Sequence, residues 1–220
     1  MCGIAGWVGL VPNGAKVAPQ MLNCLRHRGP DAEGIKMWDD AALLHARLSI
    51  IDLEPTGAQP MPNEDGTVWT IFNGEIYNHH ELRDELIQRG HSFRGRADTE
   101  ILTHLYEEEG SNFIHKLRGM FTLAIYDSRR KIMVVARDRF GIKPLFYSLT
   151  PERFGFASEI RALRALPGID ATPNMQAVSD FAALFYIPAP QTFFKALEES
   201  RSKDTRQSHR PMIAAERRAC

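Results

Sequence analysis

Hydrophobic and polar positions along the first third of the chain indicate β-structure. Residues 2–9 and 42–51 are short apolar runs, and residues 67–72 alternate β-branched or aromatic side chains with others. The last run meets Asn73-Gly74, a dipeptide that favours turns. The pattern therefore predicts strands at 2–9 and 67–72, the second of which stops at this turn, with a further apolar run at 42–51 between them.

Helical spacing follows. Asn78 is a suitable N-cap residue, Gly90 is typical of a helix end, and the apolar residues between them share one face. Three further helices are predicted, one beginning near residue 98 and two covering 158–166 and 174–186.

Two strand pairs lie between these helices. Residues 119–127 and 131–138 flank a polar turn at 128–130, and residues 144–148 and 153–157 form a second pair. Recurring hairpins favour an α+β fold with largely antiparallel sheets covered by helices, and they disfavour a repeating βαβ pattern.

The character of the chain changes near its end. Residues 198–220 have no aromatic side chain and only scattered apolar ones, which is typical of a disordered or weakly helical tail. The predicted organisation is one domain over residues 2–197 followed by this atypical tail.

Composition narrows the classes of function. The 220 residues carry 27 basic and 27 acidic side chains, and this balance argues against a nucleic-acid or membrane-surface partner. No apolar run approaches the roughly 18 residues of a membrane span, and the first residues lack a signal-peptide pattern. We therefore expect a cytoplasmic protein.

The cysteines are few and scattered. Cys2, Cys24 and Cys220 form no Cys-x-x-Cys pair, and their number is odd. This pattern predicts neither a disulfide framework nor a zinc site, and no metal ligands are expected.

Cys2 carries the most informative chemistry. Removal of Met1 would leave a thiol and a free α-amino group on one residue. Ordinary α-amino groups titrate near pH ~8 and ordinary thiols near ~8.5, so the amine can accept the thiol proton at neutral pH. The alternative is that Cys2 is a small buried hydrophobic residue.

Other candidates also have structural interpretations when each is taken alone. Asn73-Gly74 offers an amide and a backbone donor for an oxyanion, or is only a turn. Arg47 suits a carboxylate ligand or an ion pair. Asp98 suits a cationic ligand or the N-terminus of its helix.

Six motifs then occur together in one order. They are Met1–Gly6 (MCGIAG), Arg26–Asp31 (RHRGPD), His45–Asp52 (HARLSIID) with Gln59-Pro60-Met61 after it, Phe72–Asn78 (FNGEIYN), Asp98–Glu100 (DTE) and Arg137–Leu145 (RDRFGIKPL). This set resembles the glutaminase domain of class II glutamine amidotransferases. Within them it is most similar to the N-terminal half of glutamine-hydrolysing asparagine synthetases, over roughly residues 2–195.

The resemblance implies a fold and a reaction. The fold is the four-layer αββα sandwich of N-terminal-nucleophile (Ntn) hydrolases. Cys2 would attack the carboxamide of glutamine, and Asn73 and Gly74 would hold the oxyanion. Arg47 would bind the α-carboxylate and Asp98 the α-ammonium. The further glutamine-binding residues implied are Leu48, Ser49, Ile50, Ile51 and Glu75.

Less definite roles remain for other motif residues. His27 is either a base or a residue that shapes its loop, and the loop role is favoured because the α-amine already supplies a base. Asp138, Arg139 and Lys143 are expected to have structural or domain-contact roles. Ala97 departs from the serine that often precedes the aspartate of this motif.

The resemblance also concerns cofactors and partners. It implies no cofactor for glutamine hydrolysis, and ATP and Mg²⁺ only in a synthetase domain, whose Ser-Gly-Gly-x-Asp-Ser loop the sequence lacks. Asparagine synthesis is therefore not expected from this chain alone. The match ends after Phe194-Lys195, and the basic tail indicates a truncated or frameshifted product. The expected partners are glutamine and a synthetase domain or subunit, and a homodimer stays open.

Two rival functions also stay open. One is a non-catalytic, glutamine-binding remnant. The other is an amidotransferase that serves a different acceptor.

Overall fold

The computed structural model describes residues 1–49 and 57–201, together with the backbone of residues 205–209 and 213–216. Strands dominate these residues. They are β1 (Gly3–Gly9), β2 (Ala32–Met37), β3 (Ala41–Arg47), β4 (Met61–Pro62), β5 (Val68–Ile76), β6 (Gly119–Asp127), β7 (Ile132–Arg137), β8 (Phe146–Leu149), β9 (Arg153–Ala157), β10 (Glu198–Glu199), β11 (Thr205–His209) and β12 (Ile213–Glu216).

Helices connect and cover these strands. The α-helices are α1 (Gly14–Asn23), α2 (His79–Gln88), α3 (Glu100–Glu109), α4 (Ile160–Leu163) and α5 (Met175–Leu184), and a 3₁₀ helix at Gly110–Lys116 follows α3. None of the helices in the described parts of the chain has the length and apolar character needed to cross a membrane.

The strands form two six-stranded antiparallel sheets. The first has the order β10-β8-β9-β1-β3-β2, and the second has the order β12-β11-β7-β6-β5-β4. Both sheets are therefore built from hairpins and returning strands, as the sequence predicts.

Three apolar clusters divide the molecule into layers. Ile4 and Phe156 of the first sheet face Ile71 of the second. The other face of the first sheet, which includes Trp7, packs on α1 and α4. The outer face of the second sheet, which includes Phe72, packs on α2 and α3. Burial on both faces of each sheet gives the predicted αββα sandwich.

Several predicted elements are confirmed with small shifts. The strand pair at 119–127 and 131–138 is the β6–β7 hairpin, and the pair at 144–148 and 153–157 is β8–β9. The helix predicted over 158–166 is wrong in length, because α4 contains only Ile160–Leu163.

Asn73-Gly74 is not a turn. Strand β5 continues through both residues to Ile76, and they pair with Thr122 and Phe121 of β6. A Cβ atom on Gly74 would lie 2.2 Å from the carbonyl oxygen of Met120. The glycine thus serves close strand packing and does not mark a chain reversal.

The segment beyond residue 197 contains described strands, which differs from the irregular tail expected there. Strand β10 pairs with β8, β11 extends the second sheet along β7, and β12 pairs with β11. Backbone hydrogen bonds to a sheet edge do not require apolar side chains, so composition alone gave no sign of these strands.

A buried hydrogen bond links the two sheets. The Tyr126 hydroxyl of β6 donates to Asp40 Oδ1, between β2 and β3, at 2.8 Å, and Lys131 Nζ lies 3.5 Å from the same oxygen. Both Tyr126 and Asp40 are buried.

Replacing Tyr126 with phenylalanine should lower the free energy of unfolding by about 1–2 kcal/mol, because a buried carboxylate loses a hydrogen-bond donor. Urea denaturation of the variant measures this loss. Tyr77→Phe is the matched control, since Tyr77 is 63% exposed. Equal losses in the two variants would contradict the assignment.

Candidate active site

The pairing of β1 with β3 brings Cys2 next to Arg47. Gly3 of β1 is paired with Ala46 of β3 in an antiparallel register. Cys2, which precedes Gly3, therefore lies opposite the residues that follow Ala46, which are Arg47 and Leu48. The Leu48 N–H donates to Cys2 Sγ at 3.4 Å, and the thiol lies 3.6 Å from the Leu48 carbonyl oxygen. Two residues separated by 46 positions are thereby fixed in contact.

A cavity of about 90 Å³ opens beside this thiol. Most of the residues predicted to bind or transform glutamine line it: Cys2, Arg47, Leu48, Ser49, Asn73, Gly74, Glu75 and Asp98. The predicted Ile50 and Ile51 lie outside the described residues. One cavity therefore collects residues from the segment before β1, from β3 and the residues after it, from β5 and from the segment before α3.

Asn73 supplies a buried donor to this cavity. Its side chain is only 2% exposed, and Nδ2 makes no hydrogen bond to any residue that the structure describes. An unpaired buried amide is costly, so a ligand acceptor at this position would be stabilised.

Asp98 and Arg47 bring opposite charges to the same space. Asp98 is buried, and its Oδ2 accepts a hydrogen bond from the Ile76 N–H at 3.1 Å. Burial raises the pKa of the Asp98 carboxyl, and the negative charge of Glu75 adds to this, whereas the Ile76 hydrogen bond opposes it. Arg47 ends β3 and is half-buried. The cavity thus has an acidic and a basic group for one small zwitterion.

The Arg-His-Arg-Gly-Pro-Asp motif supports the nucleophile and its neighbouring strand. Arg28 Nε donates to the Cys2 carbonyl oxygen at 3.0 Å, and its Nη1 lies 3.1 Å from Glu159 Oε1. Asp31 Oδ2 accepts from the Ser49 N–H at 2.7 Å. These bonds hold the chain on both sides of the thiol.

Gly29 allows the same motif to lie against β3. A Cβ atom there would be 2.2 Å from the Ala46 carbonyl oxygen. By contrast, His27 contacts Glu159 at 2.8 Å, and its side chain is 49% exposed. The geometry therefore agrees with the loop-shaping interpretation of His27.

Gln59 is a residue whose role the sequence did not reveal. Its Oε1 accepts from the Phe72 N–H at 2.6 Å, and its Nε2 donates to Thr99 Oγ1 at 3.2 Å. Phe72 precedes Asn73 and Thr99 follows Asp98. One side chain therefore connects the strand that holds the amide with the segment that holds the carboxylate.

Lys143 also lines the cavity and is buried, although the sequence placed it in a structural or domain-contact role. Asp138 shapes its loop by accepting hydrogen bonds from the backbone N–H groups of Phe140, Ile142 and Lys143. Arg139 instead donates to the His115 carbonyl oxygen on the exposed surface.

His45 is buried and contacts Phe72, the residue that precedes Asn73. Its Nε2 lies 3.2 Å from the Phe72 carbonyl oxygen, so Nε2–H donates across the gap between the two sheets. Burial lowers the pKa of His45 to about 4, with the Arg47 charge acting in the same direction and the Phe72 bond opposing it. His45 is accordingly neutral at pH 7.

Comparison with known families agrees with this geometry. Residues 1–215 match the family described as the glutamine amidotransferase domain. The chain belongs to this family. The relatives of this amidotransferase domain include longer proteins.

Two of these relatives are asparagine synthetases. The chain is 38% identical over 209 residues to "Asparagine synthetase [glutamine-hydrolyzing] 3" of Bacillus subtilis, which covers 91% of this chain and 34% of that protein. It is 45% identical over 168 residues to "Asparagine synthetase [glutamine-hydrolyzing] 2" of Arabidopsis thaliana, covering 74% and 28%. The amidotransferase domain thus spans about a third of the length of these relatives.

Solved structures share its fold. The glutamine phosphoribosylpyrophosphate amidotransferase of B. subtilis aligns with a TM-score of 0.71 at 19% identity, covering 98% of this chain and 49% of that one. An allosteric regulatory enzyme of purine biosynthesis aligns with a TM-score of 0.74 at 20% identity, with the same coverage. These matches show that the amidotransferase domain has the same fold as part of each of these two enzymes.

His45 should make the stability of the domain depend on pH. Its pKa is lower in the folded state than the ordinary 6.5, so the unfolded chain binds the extra proton. The contribution is intact above pH 6.5 and is lost as pH falls towards 4, by up to ~3 kcal/mol in total.

Urea denaturation from pH 7.5 to 4.5 in the wild type and in His45→Gln measures this effect. The variant should show a smaller decrease in the free energy of unfolding across this range. Identical pH profiles would contradict the assignment of a buried neutral imidazole.

Proposed function

We propose that this cavity hydrolyses free glutamine to glutamate and ammonia through a thioester on Cys2. The observation that carries the proposal is the convergence of a thiol, an unpaired buried amide and two opposite charges on one small cavity. Each group alone has a structural explanation, but together they match the parts of a γ-carboxamide amino acid.

The nucleophile is the Cys2 thiol after removal of Met1. The released α-amino group accepts the thiol proton, directly or through a water molecule. The Leu48 N–H points at Sγ from 3.4 Å, and a donor at this place stabilises negative charge on sulfur. Arg28 holds the Cys2 carbonyl oxygen and so restrains the rotation of this residue.

The oxyanion forms when sulfur attacks the amide carbon of glutamine. Asn73 Nδ2 is a donor for that oxygen, and the backbone N–H of Gly74 is the second. Removing one such donor costs about 3 kcal/mol of transition-state stabilisation in comparable sites. The hydrogen bond from His45 to Phe72 and the one from Phe72 to Gln59 restrain β5 next to Asn73.

Recognition of the substrate depends on its two charges. The Arg47 guanidinium is suited to the α-carboxylate, and Asp98 is suited to the α-ammonium. Together they favour a free amino acid over a glutamine side chain within a protein, which lacks both charges. Leu48, Ser49 and Glu75 line the same cavity as Arg47 and Asp98.

The reaction is completed in two steps. Collapse of the tetrahedral intermediate breaks the C–N bond of the carboxamide. The α-ammonium group of Cys2 donates the proton that it took from the thiol to the leaving ammonia. Water then attacks the γ-glutamyl thioester, which releases glutamate and regenerates the thiol. This half-reaction requires only the residues named and water.

The names of the relatives support a proposal for the fate of the ammonia. Because the matched proteins are named glutamine-hydrolysing asparagine synthetases, we propose an asparagine-forming domain or subunit as the acceptor. ATP and Mg²⁺ would act there and not in this chain. Phe140 and Ile142 are 83% and 54% exposed on the loop that carries cavity-lining Lys143, and they are candidates for contact with that partner.

Cys2→Ala should abolish release of ammonia from glutamine, because no other thiol lines the described cavity. Cys2→Ser should retain at most a trace of this activity, since a hydroxyl is a much weaker nucleophile than a thiol at neutral pH. A coupled glutamate assay measures both. Cys24→Ala is the matched control, and it should keep wild-type turnover. Hydrolysis by Cys2→Ala at the wild-type rate would reject the mechanism.

Asp98→Asn should raise KM for glutamine about 10- to 100-fold and change kcat less, because the α-ammonium loses its counter-charge. The asparagine keeps an oxygen that can accept from Ile76, so the fold should survive. With the wild type, glutamine affinity should fall as acid protonates Asp98, at a higher pH than for an ordinary aspartate. An unchanged KM would argue against this assignment.

A further inference from the structure

Two histidines and two carboxylates lie close together on the side of the second sheet that α2 and α3 cover. None of them belongs to the glutamine site. Glu64 comes from the connection between β4 and β5, His91 from the segment after α2, and His104 and Glu107 from α3. These four residues are named the α3 cluster. Ligand atoms of Glu64, His91 and His104 all lie within 4.8 Å of one another.

The distances within the α3 cluster suit a metal ion. His104 Nδ1 lies 3.5 Å from Glu64 Oε1 and 3.4 Å from Glu107 Oε2, and His91 Nδ1 lies 4.0 Å from Glu107 Oε2. Tetrahedral Zn²⁺ with bonds of roughly 2.0–2.1 Å places its ligand atoms about 3.4 Å apart. The two His104 distances match this spacing, and the His91 side chain must move closer to Glu107 to match it.

Hydrogen bonds already orient two of the four side chains. His91 Nε2 lies 3.1 Å from Glu108 Oε1. A proton on Nε2 leaves Nδ1 with a free lone pair for a metal. Asn63 Nδ2 donates to Glu107 Oε1 at 2.6 Å, which turns Oε2 towards the histidines. Metal sites commonly have such outer partners.

Burial also favours coordination. The His104 side chain is 2% exposed, whereas Glu64 is 44% exposed. The cluster therefore has a buried imidazole at its base and an open side through which an ion can enter. Imidazole nitrogen with carboxylate oxygen is a donor set that suits Zn²⁺ and neighbouring divalent metals better than Mg²⁺.

We propose that Glu64, His91, His104 and Glu107 bind one divalent metal ion of the zinc class. The bound ion would join two other chain segments, those of Glu64 and His91, to α3. The segment between α2 and α3 is already held by Glu100, whose carboxylate accepts from the N–H groups of Arg94 and Gly95, and the metal would be a second attachment. The effect is structural, and it does not depend on the proposed hydrolysis of glutamine.

Cobalt is a spectroscopic probe for this site. Titration of the full chain with Co²⁺ should give visible d–d bands of a tetrahedral nitrogen and oxygen site. Thiolate ligation by Cys2, Cys24 or Cys220 would add a near-ultraviolet charge-transfer band, so the spectrum distinguishes the α3 cluster from the cysteines. Zn²⁺ should displace Co²⁺, and Mg²⁺ should not.

Variants locate the ion. His91→Ala and Glu64→Gln should each weaken Co²⁺ binding at least tenfold, and Glu108→Gln should have a smaller effect through His91. His115→Ala, which changes an exposed histidine on the 3₁₀ helix, should bind like the wild type. Circular dichroism in EDTA checks that each variant is folded before metal is added.

Thermal denaturation gives an independent measurement. Zn²⁺ at a hundredfold excess over Kd should raise Tm of the wild type, and the rise should disappear in His91→Ala. The proposal is overturned if the wild type shows neither tetrahedral Co²⁺ bands nor a rise in Tm. It is also overturned if His91→Ala and Glu64→Gln bind Co²⁺ as tightly as the wild type.

Discussion

The antiparallel pairing of β1 with β3 is the constraint on which the site depends. It fixes Gly3 opposite Ala46, and so places the Cys2 thiol within hydrogen-bond reach of the Leu48 backbone and next to Arg47. Register errors are costly because a shift by one residue would turn every side chain to the opposite face. Gly29 packs directly against the Ala46 backbone, where a Cβ atom would clash.

The second sheet supplies the other half of the cavity. Asn73 reaches it from β5, whose position is fixed by nine register pairs with β6. Two side chains restrain this strand across element boundaries, His45 from the first sheet and Gln59 from the segment before β4. Cys2 directly precedes a strand of the first sheet and Asn73 lies on the second, so the packing between the sheets sets the distance between them.

The extent of prediction from sequence follows the strength of local patterns. The β6–β7 hairpin was predicted because two apolar strand runs flank a polar turn, and α2 because a suitable N-cap and a terminal glycine bound it. Helix α1 is as long as α2, but Pro19 lies inside it and disfavours a helix prediction. Most of the motif residues that were predicted to bind glutamine line one cavity. The turn predicted at Asn73-Gly74 was wrong, because strand pairing overrides the turn propensity of this dipeptide. The α3 cluster has no local signature in the sequence, because its residues come from three separated segments.

The most direct test of the central claim is the intact mass of enzyme quenched in acid during turnover of glutamine. The account predicts a chain that begins at Cys2, part of which carries one γ-glutamyl group, and peptide mapping should place that group on the Cys2 sulfur. A chain that hydrolyses glutamine while retaining Met1, or that carries the glutamyl group on another residue, would contradict it.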